Sequence, residues 1–481
     1  MAEEIILKCG LEIHQQLDTN KLFCSCPSVL TDKTDYVVER KIVAVAGETG
    51  EVDIAAKHEA AKERDFAYQV DKDSCCLVEL DEEPPHLTNQ ESLKIAIQIA
   101  LFLNCEILPI TQIMRKTVID GSNTSGFQRS VLIARNGFLE TESGKVRISA
   151  VMLEEDAARI ISKTEKKTTY RLDRLGIPLI EIATSPDINN PKQAKEAALH
   201  LGEILRACKV KRGIGTIRQD VNMSIKLKEK SKIKQGERIE IKGVQEPALI
   251  EKTILTEIER QKKLIKENKS KSEVRKALPT GHTEFLRPMP GSSRMYPETD
   301  LPLLKISREL MNEVKKSLPK LKSEIRGELR ERGLGEEMIK LLLSENKLDE
   351  FEALIKLYNK PDFIVKSLVL WPKEIASKEK LDEKQKEKRL STDIIESIIH
   401  EVAKKKLREE DVKQILQELA KGKKLEEALK LEKKEIKLEE EIRKLIKEKP
   451  NLSINAYMGL MMQKHKGISG KDVMEILKKL L

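Results

Sequence analysis

The residues predict an α+β protein: a mixed-sheet domain over residues 1–300, then two small all-α domains over 301–385 and 386–481. Three observations lead there. The first 300 residues carry short β-branched runs separated by Gly-, Pro- and Asp-rich turns. Two helical stretches interrupt them without a strand–helix–strand rhythm, which points away from a doubly wound α/β fold. Beyond residue 300, Lys, Glu, Leu and Ile recur at helical spacing.

Lys41-Ile-Val-Ala-Val-Ala, Arg147-Ile-Ser-Ala-Val-Met and Arg238-Ile-Glu-Ile are expected strands. Thr88 and Glu91 form a capping box for the first helix, whose stripe is Leu93, Ile97, Ala100 and Leu101. Asn190 caps the second, with Pro191 in its first turn; Ala194, Ala197, Leu201, Ile204, Leu205 and Cys208 form its buried face. The charged stretch 261–275 reads either as an extended helix or as the scar of a missing segment. In the helical half, Asp393 with Glu396 and Ser469 with Asp472 are expected capping boxes, the latter before the stripe Val473, Ile476, Leu477 and Leu480. Lys421-Gly-Lys and Glu448-Lys-Pro-Asn read as breaks. The charged run 377–389 reads as a linker, with the domain join near 385.

The chain has 481 residues, a formal charge of +9, 35% charged and 39% hydrophobic residues, so wholesale disorder is excluded. Aromatics are only 3%, with Trp371 the single tryptophan, which argues against a reader that stacks bases on exposed rings. The charge permits an anionic partner such as RNA without demanding one. No uncharged apolar run approaches the ~18 residues of a membrane span, and the N-terminus lacks a basic segment ahead of an apolar one. A soluble, cytoplasmic protein with no membrane partner is expected. Cysteines stand at 9, 24, 26, 75, 76, 105 and 208. An odd count in that setting argues against a disulfide framework.

Chemistry points to acids. On a strand, Glu12 and His14 share one face, with Leu11 and Ile13 on the other. An acid beside an imidazole suits a divalent metal, or a plain hydrogen-bonded pair. Met152-Leu-Glu-Glu-Asp places consecutive acids, including Glu155, where a cation could gather them or a helix could start. Glu181 stands alone between isoleucines, and Asp220 lies in Gln-Asp-Val-Asn. Such lone acids on apolar strands fit a Mg²⁺–phosphate site better than a protease or redox site. Arg115 and Lys116 could meet phosphate. The small and hydroxyl residues from Asp120 to Arg129, including Gln128, could turn amides toward an anion or form an ordinary turn. No Walker A or dinucleotide glycine motif occurs. Cys24 and Cys26 with Cys75 and Cys76 make a four-thiol set. Zinc is disfavoured there because neighbouring Cys75 and Cys76 are poor co-ligands and no C-x-x-C occurs. No serine-nucleophile motif is present, so the chain carries no evident amide-hydrolysing centre of its own.

Five blocks in order are distinctive: Cys9-Gly-Leu-Glu-Ile-His-Gln-Gln-Leu-Asp-Thr; Leu77-Val-Glu-Leu-Asp-Glu-Glu-Pro-Pro-His; Met114-Arg-Lys-Thr-Val-Ile-Asp-Gly-Ser-Asn-Thr-Ser-Gly-Phe-Gln-Arg; Tyr170-Arg-Leu-Asp-Arg-Leu-Gly-Ile-Pro-Leu-Ile-Glu-Ile-Ala; and Arg287-Pro-Met-Pro-Gly-Ser-Ser-Arg-Met-Tyr-Pro-Glu-Thr-Asp. With the tail block Ala456-Tyr-Met-Gly-Leu-Met-Met-Gln-Lys-His-Lys-Gly, they resemble the GatB/GatE family, and within it the archaeal GatE branch of the glutamyl-tRNA(Gln) amidotransferases.

The resemblance implies a catalytic cradle over 1–300 and a helical tail that grips tRNA. It implies ATP- and Mg²⁺-dependent phosphorylation of the γ-carboxylate of glutamate on tRNA(Gln), then amidation by ammonia. The ammonia would come from an asparaginase-like glutaminase partner of the GatD type, in a heterotetramer with two copies of each protein. By motif position Glu12, His14, Glu155, Glu181 and Asp220 would be the catalytic and metal residues. Arg115, Lys116, Gln128 and Arg129 would meet ATP or the acyl-tRNA end. The chain departs from the family in lacking an aspartyl-tRNA-synthetase-like insertion, whose place is filled by 261–283 alone. Its cysteine spacing also differs from that of the four-cysteine GatB relatives, so zinc is not carried over. The alternatives are a tRNA-binding scaffold that has lost catalysis and a tRNA-independent carboxylate–amine ligase.

Overall fold

The computed structural model describes residues 4–41, 65–118, 120–229, 232–289, 295–429, 438–450, 452–464 and 470–481. It divides into two compact units, Met1–Lys322 and Ser323–Leu481. The first is α+β and the second helical. The α+β expectation therefore holds.

The first unit is built on a 12-stranded mixed sheet. Its main strands are β1 (Glu4–Gln16), β4 (Ile113–Thr117), β5 (Phe127–Thr141), β6 (Gly144–Glu155), β9 (Pro178–Thr184), β10 (Ile217–Glu229), β11 (Ile239–Lys242), β12 (Glu273–Ala277), β13 (Thr283–Pro288) and β14 (Met295–Pro297). They lie in the order β13-β12-β11-β10-β1-β9-β6-β5-β4-β14. A smaller sheet holds β2 (Tyr36–Arg40), β3 (Asp65–Val70), β7 (Arg159–Lys163) and β8 (Lys167–Arg171), in the order β2-β3-β8-β7. Strand-rich 147–152 and 239–241 are thus confirmed, whereas 42–46 lies outside the described residues.

One face of the large sheet is apolar. Leu11, Ile13, Val131, Val151, Leu153, Ile180, Ile182 and Val221 are all at most 1% exposed and join one core. Helices α1 (Gln90–Phe102), α2 (Pro191–Ala207) and α3 (Pro247–Lys266) contribute to that core. Each fully buried Leu or Ile contributes roughly 1.5–3 kcal/mol. Asn190 caps α2 through Gln193 N, as its sequence predicts. At α1 the cap is Asn89, whose Oδ1 accepts from Ser92 N at 3.0 Å, one residue beyond the expected Thr88. The stretch 261–275 ends α3, turns, and enters β12.

The small sheet anchors the loop after β4. The stacked rings of Tyr68 and Tyr170 lie 6.0 Å apart, and their hydroxyls donate to Gly121 O (2.8 Å) and Asp120 O (2.6 Å). Gly121 has φ +78°, and a Cβ there would fall 2.3 Å from the Phe66 ring, so only glycine fits.

In the second unit one apolar cluster runs from Leu329 to Ala428 and another from Ile442 to Leu477. Ile375 and Leu390 share the first cluster, so the expected join near 385 falls within its span. The charged run 377–389 largely forms helix, ending Trp371–Lys378 and supplying Glu383–Arg389. Ser391, not Asp393, caps Thr392–Ala403. Gly422 breaks the chain at φ +98° as expected. The Ser469 box lies outside the described residues. No described helix is long and apolar enough to cross a membrane.

Candidate active site and a thiol cluster

The face of the sheet opposite the core carries a row of acids. Alternation along β1 sends Leu11 and Ile13 into the core and Glu12 and His14 to the open side. Antiparallel pairing sets His14 opposite Glu181 of β9. His14 Nε2 stands 3.3 Å from Glu181 Oε2 and 3.7 Å from Glu12 Oε1. Glu12, His14 and Glu181 each offer one donor atom, and these lie within 4.8 Å of one another.

Glu154 of β6 comes to the same face. Ser130 Oγ donates to its Oε1 at 2.6 Å and Gln128 Nε2 to its Oε2 at 3.2 Å. Lys116 Nζ lies 3.5 Å from Glu154 and 3.6 Å from Glu181. Burial, and then the Glu181 charge, raise Glu154 to about 7. Burial and the same neighbour raise Glu12. Burial would lower His14, but Glu181, Glu154 and Glu12 outweigh it and hold the imidazole above its ordinary value. Burial would raise Glu181, but His14 and Lys116 bring it below the usual carboxylate range. Glu181 Oε2 is buried without a hydrogen bond of good geometry. Buried carboxylates at this density beside an imidazole fit a divalent cation bound by hard oxygen ligands and a ring nitrogen.

The structure sorts the expected residues by face. Lys116 and Gln128 lie with the acid row, beside Glu154. Asp220 is opposite Glu12 in register, but its carboxylate is taken: Lys242 Nζ donates to Oδ2 at 3.0 Å and Gly243 N to Oδ1 at 3.1 Å. It anchors Lys242 at the border of the row.

Glu155, Arg115 and Arg129 go to the reverse side. Glu155 continues the parity of Val151 and Leu153, and Arg115 that of Ile113. Glu155 Oε1 accepts Arg129 N at 2.9 Å, and Arg129 Nε donates to Glu298 Oε2 at 2.8 Å. Arg115 reaches the other oxygen of Glu298 and lies over the Phe127 ring, 4.6 Å from its centroid. The expected grouping of Glu155 with Glu12 is therefore corrected: neighbouring residues on a strand face opposite ways, and Glu154 is the one beside Glu181. The alternation that pairs Glu12 with His14, applied from Val151, finds Glu154. Ser130 and Lys242 had no such local signal.

Also on the reverse side, Cys24, Cys26, Cys76 and Glu79 bring one donor each within 4.8 Å of one another. Cys75 is outside the set, with its Sγ 3.9 Å from Lys21 Nζ. The objection from adjacent cysteines thus falls, because only Cys76 of that pair takes part. Cys24 Sγ donates to Glu79 Oε1 at 2.9 Å, and Cys76 N to Oε2 at 2.7 Å. Lys21, fully buried, stands 3.4 Å from Glu79 and offsets its charge. The neighbouring Cys24 and Cys26 hold the Cys76 thiol far below its ordinary value. Three sulfurs and one carboxylate form a donor set of the kind that binds zinc tetrahedrally. Thr124 Oγ1 bonds Glu79 O at 2.6 Å, tying this cluster to the loop 120–126.

A family model described as the GatB/GatE catalytic domain matches residues 7–312. The chain belongs to the GatB/GatE family. The GatE protein of the glutamyl-tRNA(Gln) amidotransferase of Methanocaldococcus jannaschii is 37% identical, covering 78% of this chain and 80% of that relative. The GatE protein of Methanothermobacter thermautotrophicus is 36% identical, with 73% and 77% covered. That of Pyrococcus horikoshii is 34% identical, with 84% and 86% covered. The first of these alignments spans 515 positions against a chain of 481 residues, so that relative carries residues with no counterpart here. The GatB/GatE match includes the whole acid row and all four donors of the thiol set.

Proposed function

We propose that this chain is the catalytic component of a tRNA-dependent amidotransferase that converts Glu-tRNA(Gln) to Gln-tRNA(Gln). The observation that carries this reading is the Glu12–His14–Glu181 constellation with Glu154 beside it, on the open face of a GatB/GatE domain. Its relatives bear the name of that amidotransferase.

In this reading Glu12, His14, Glu154 and Glu181 would hold Mg²⁺, which would neutralise the charge that develops on the phosphate. The residues of the chain supply the rest. Lys116, held at Glu154 and Glu181, presents an ammonium to the anionic group being transferred. Ser130 and Gln128 fix the Glu154 carboxylate so that its geometry does not change when charge arrives. The γ-carboxylate of the tRNA-bound glutamate is the phosphoryl acceptor, and ammonia then displaces phosphate. A glutaminase partner of the GatD type, in a complex with two copies of each protein, would supply the ammonia. The helical unit would grip tRNA with its lysines. The thiol set would hold zinc, a closed structural ion that fixes the Cys24–Cys26 and Cys76–Glu79 segments. Cytoplasmic residence follows from the translation role.

The deciding experiment mixes the chain with a GatD-type partner, glutamine, ATP, Mg²⁺ and Glu-tRNA(Gln) and follows Gln-tRNA. Glu12→Ala and Glu154→Gln are expected to abolish its formation while the partner still hydrolyses glutamine. Normal conversion by both variants would refute the assignment. ATP turnover that fails to respond to Glu-tRNA(Gln), with tRNA still bound, would show a scaffold instead.

A further inference from the structure

Beside the acid row lies a second polar row that the proposed chemistry leaves unused. Two residues along a strand, about 7 Å, separate positions on one face. One such step from His14 is Gln16; from Glu154, Asp156; from Asp220, Arg218. Arg218 lies opposite His14 in the β1–β10 register.

Asp156, 2% exposed, is the hub. Gln16 Nε2 donates to its Oδ2 at 2.7 Å, and Arg218 Nη2 to its Oδ1 at 2.8 Å. Arg174 Nε stands 3.8 Å from Oδ2. Arg174 is also pinned by the backbone, through Nε to Ala157 O at 2.7 Å and Nη2 to Ala158 O at 2.8 Å. One carboxylate therefore holds two guanidiniums and leaves positive charge in excess. Both arginine side chains reach solvent, at 26% and 37% exposure, while the carboxylate beneath them does not. A purely structural ion pair needs one arginine. Asp156 balances only one of the two charges, and planar guanidiniums with N–H groups to spare match phosphate oxygens. Arg218 meets Asp156 through Nη2.

We propose that Arg174 and Arg218 form a phosphate-binding site one step along the sheet from the acid row. This deepens the reading of that row as a metal site and rests on it for the identity of the bound substrate. The ligand chemistry is a phosphate group, from the polyphosphate of a nucleotide or from an RNA backbone.

The test uses the full chain with Arg218→Met, Arg218→Lys and Arg174→Met. Three titrations are run on each: Mn²⁺ alone, ATP with Mg²⁺, and unacylated tRNA(Gln) transcript. A charge-assisted hydrogen bond lost at a phosphate weakens binding on the order of 10- to 100-fold. The expected result is such a loss for ATP in both Met variants, partial recovery in Arg218→Lys, and Mn²⁺ affinity like that of the wild type. A loss confined to tRNA supports the site and assigns it to RNA phosphate. Unchanged affinity for both ligands overturns the proposal, including where the variants are merely less stable to urea. Failure of the wild type to bind Mn²⁺ at all, with a phosphate loss in the Met variants, refutes the metal reading and leaves the arginine site standing.

Discussion

Replacing Glu154 by Gln separates a site built for a cation from one built for internal pairing. The change keeps the shape and removes the charge. Burial and Glu181 raise the Glu154 pKa from 4.5 to about 7. At 1.36 kcal/mol per unit, the ionised form carries a penalty of about 3 kcal/mol in the metal-free fold, shared with the coupled Glu181. The folded value lies above the unfolded one. The contribution of Glu154 to stability is therefore complete below pH 4.5 and is lost as pH rises through about 7. In a chelator at pH 8, Glu154→Gln is expected to be more stable than the wild type, by up to that amount, and the gap should close near pH 5. Saturating Mg²⁺ should reverse the order, because only the wild type has the full ligand set. The assay is urea unfolding across pH with and without Mg²⁺. Trp371 belongs to the helical unit, so its fluorescence does not report on the sheet. Near-ultraviolet dichroism from the buried Tyr68–Tyr170 stack, in the small sheet of the same unit as Glu154, follows the unfolding of that unit. A variant less stable than the wild type at pH 8 in chelator would refute the reasoning.

Other expectations are equally direct. Glu298→Ala removes the carboxylate that Arg115 and Arg129 share, leaving Arg115 to Asp300 and Arg129 to Glu155, and should lower stability in urea unfolding. Glu155→Gln should lower stability through Arg129 yet leave Mn²⁺ affinity unchanged, in contrast to Glu181→Gln, which should weaken it strongly by calorimetry. Purified chain should contain stoichiometric zinc by elemental analysis, and Cys76→Ser should lose it whereas Cys75→Ser should not. Asn89→Ala removes the α1 cap and should cost about 1 kcal/mol.

Local pattern made much of the architecture legible. The period of two in β1 placed Glu12 and His14 together before any partner strand was known, and Asn190-Pro191 marked the start of α2. What stayed hidden depends on contacts distant in sequence. The acid between Arg115 and Arg129 comes from residue 298, and the fourth donor to the thiols is a glutamate at 79 that no cysteine spacing indicates. Asp220 was legible as a lone acid on an apolar strand, but its capture by Lys242 depends on β11 lying alongside β10. The misplaced Glu155 differs in kind, since the parity of Val151 and Leu153 was present in the sequence to decide it. The join near 385 was suggested by charge density, yet a run of Lys and Glu also suits solvated helices, and Ile375 and Leu390 on either side of it share one apolar cluster.

Strand β6 ends in Glu154 and Glu155, and Asp156 follows directly, the three serving in turn the open face, the reverse and the open face again. Were the strand to slide by one residue, two of the three positions would still receive a carboxylate, so electrostatics alone would only partly notice the error. Val151 and Leu153 would notice, because the same slip would turn both of them out into water. Fidelity of alignment in this strand is thus enforced by two aliphatic side chains that take no part in the chemistry. Insertion or deletion of a single residue ahead of Val151 should therefore be tolerated far less well than conservative exchange among the acids.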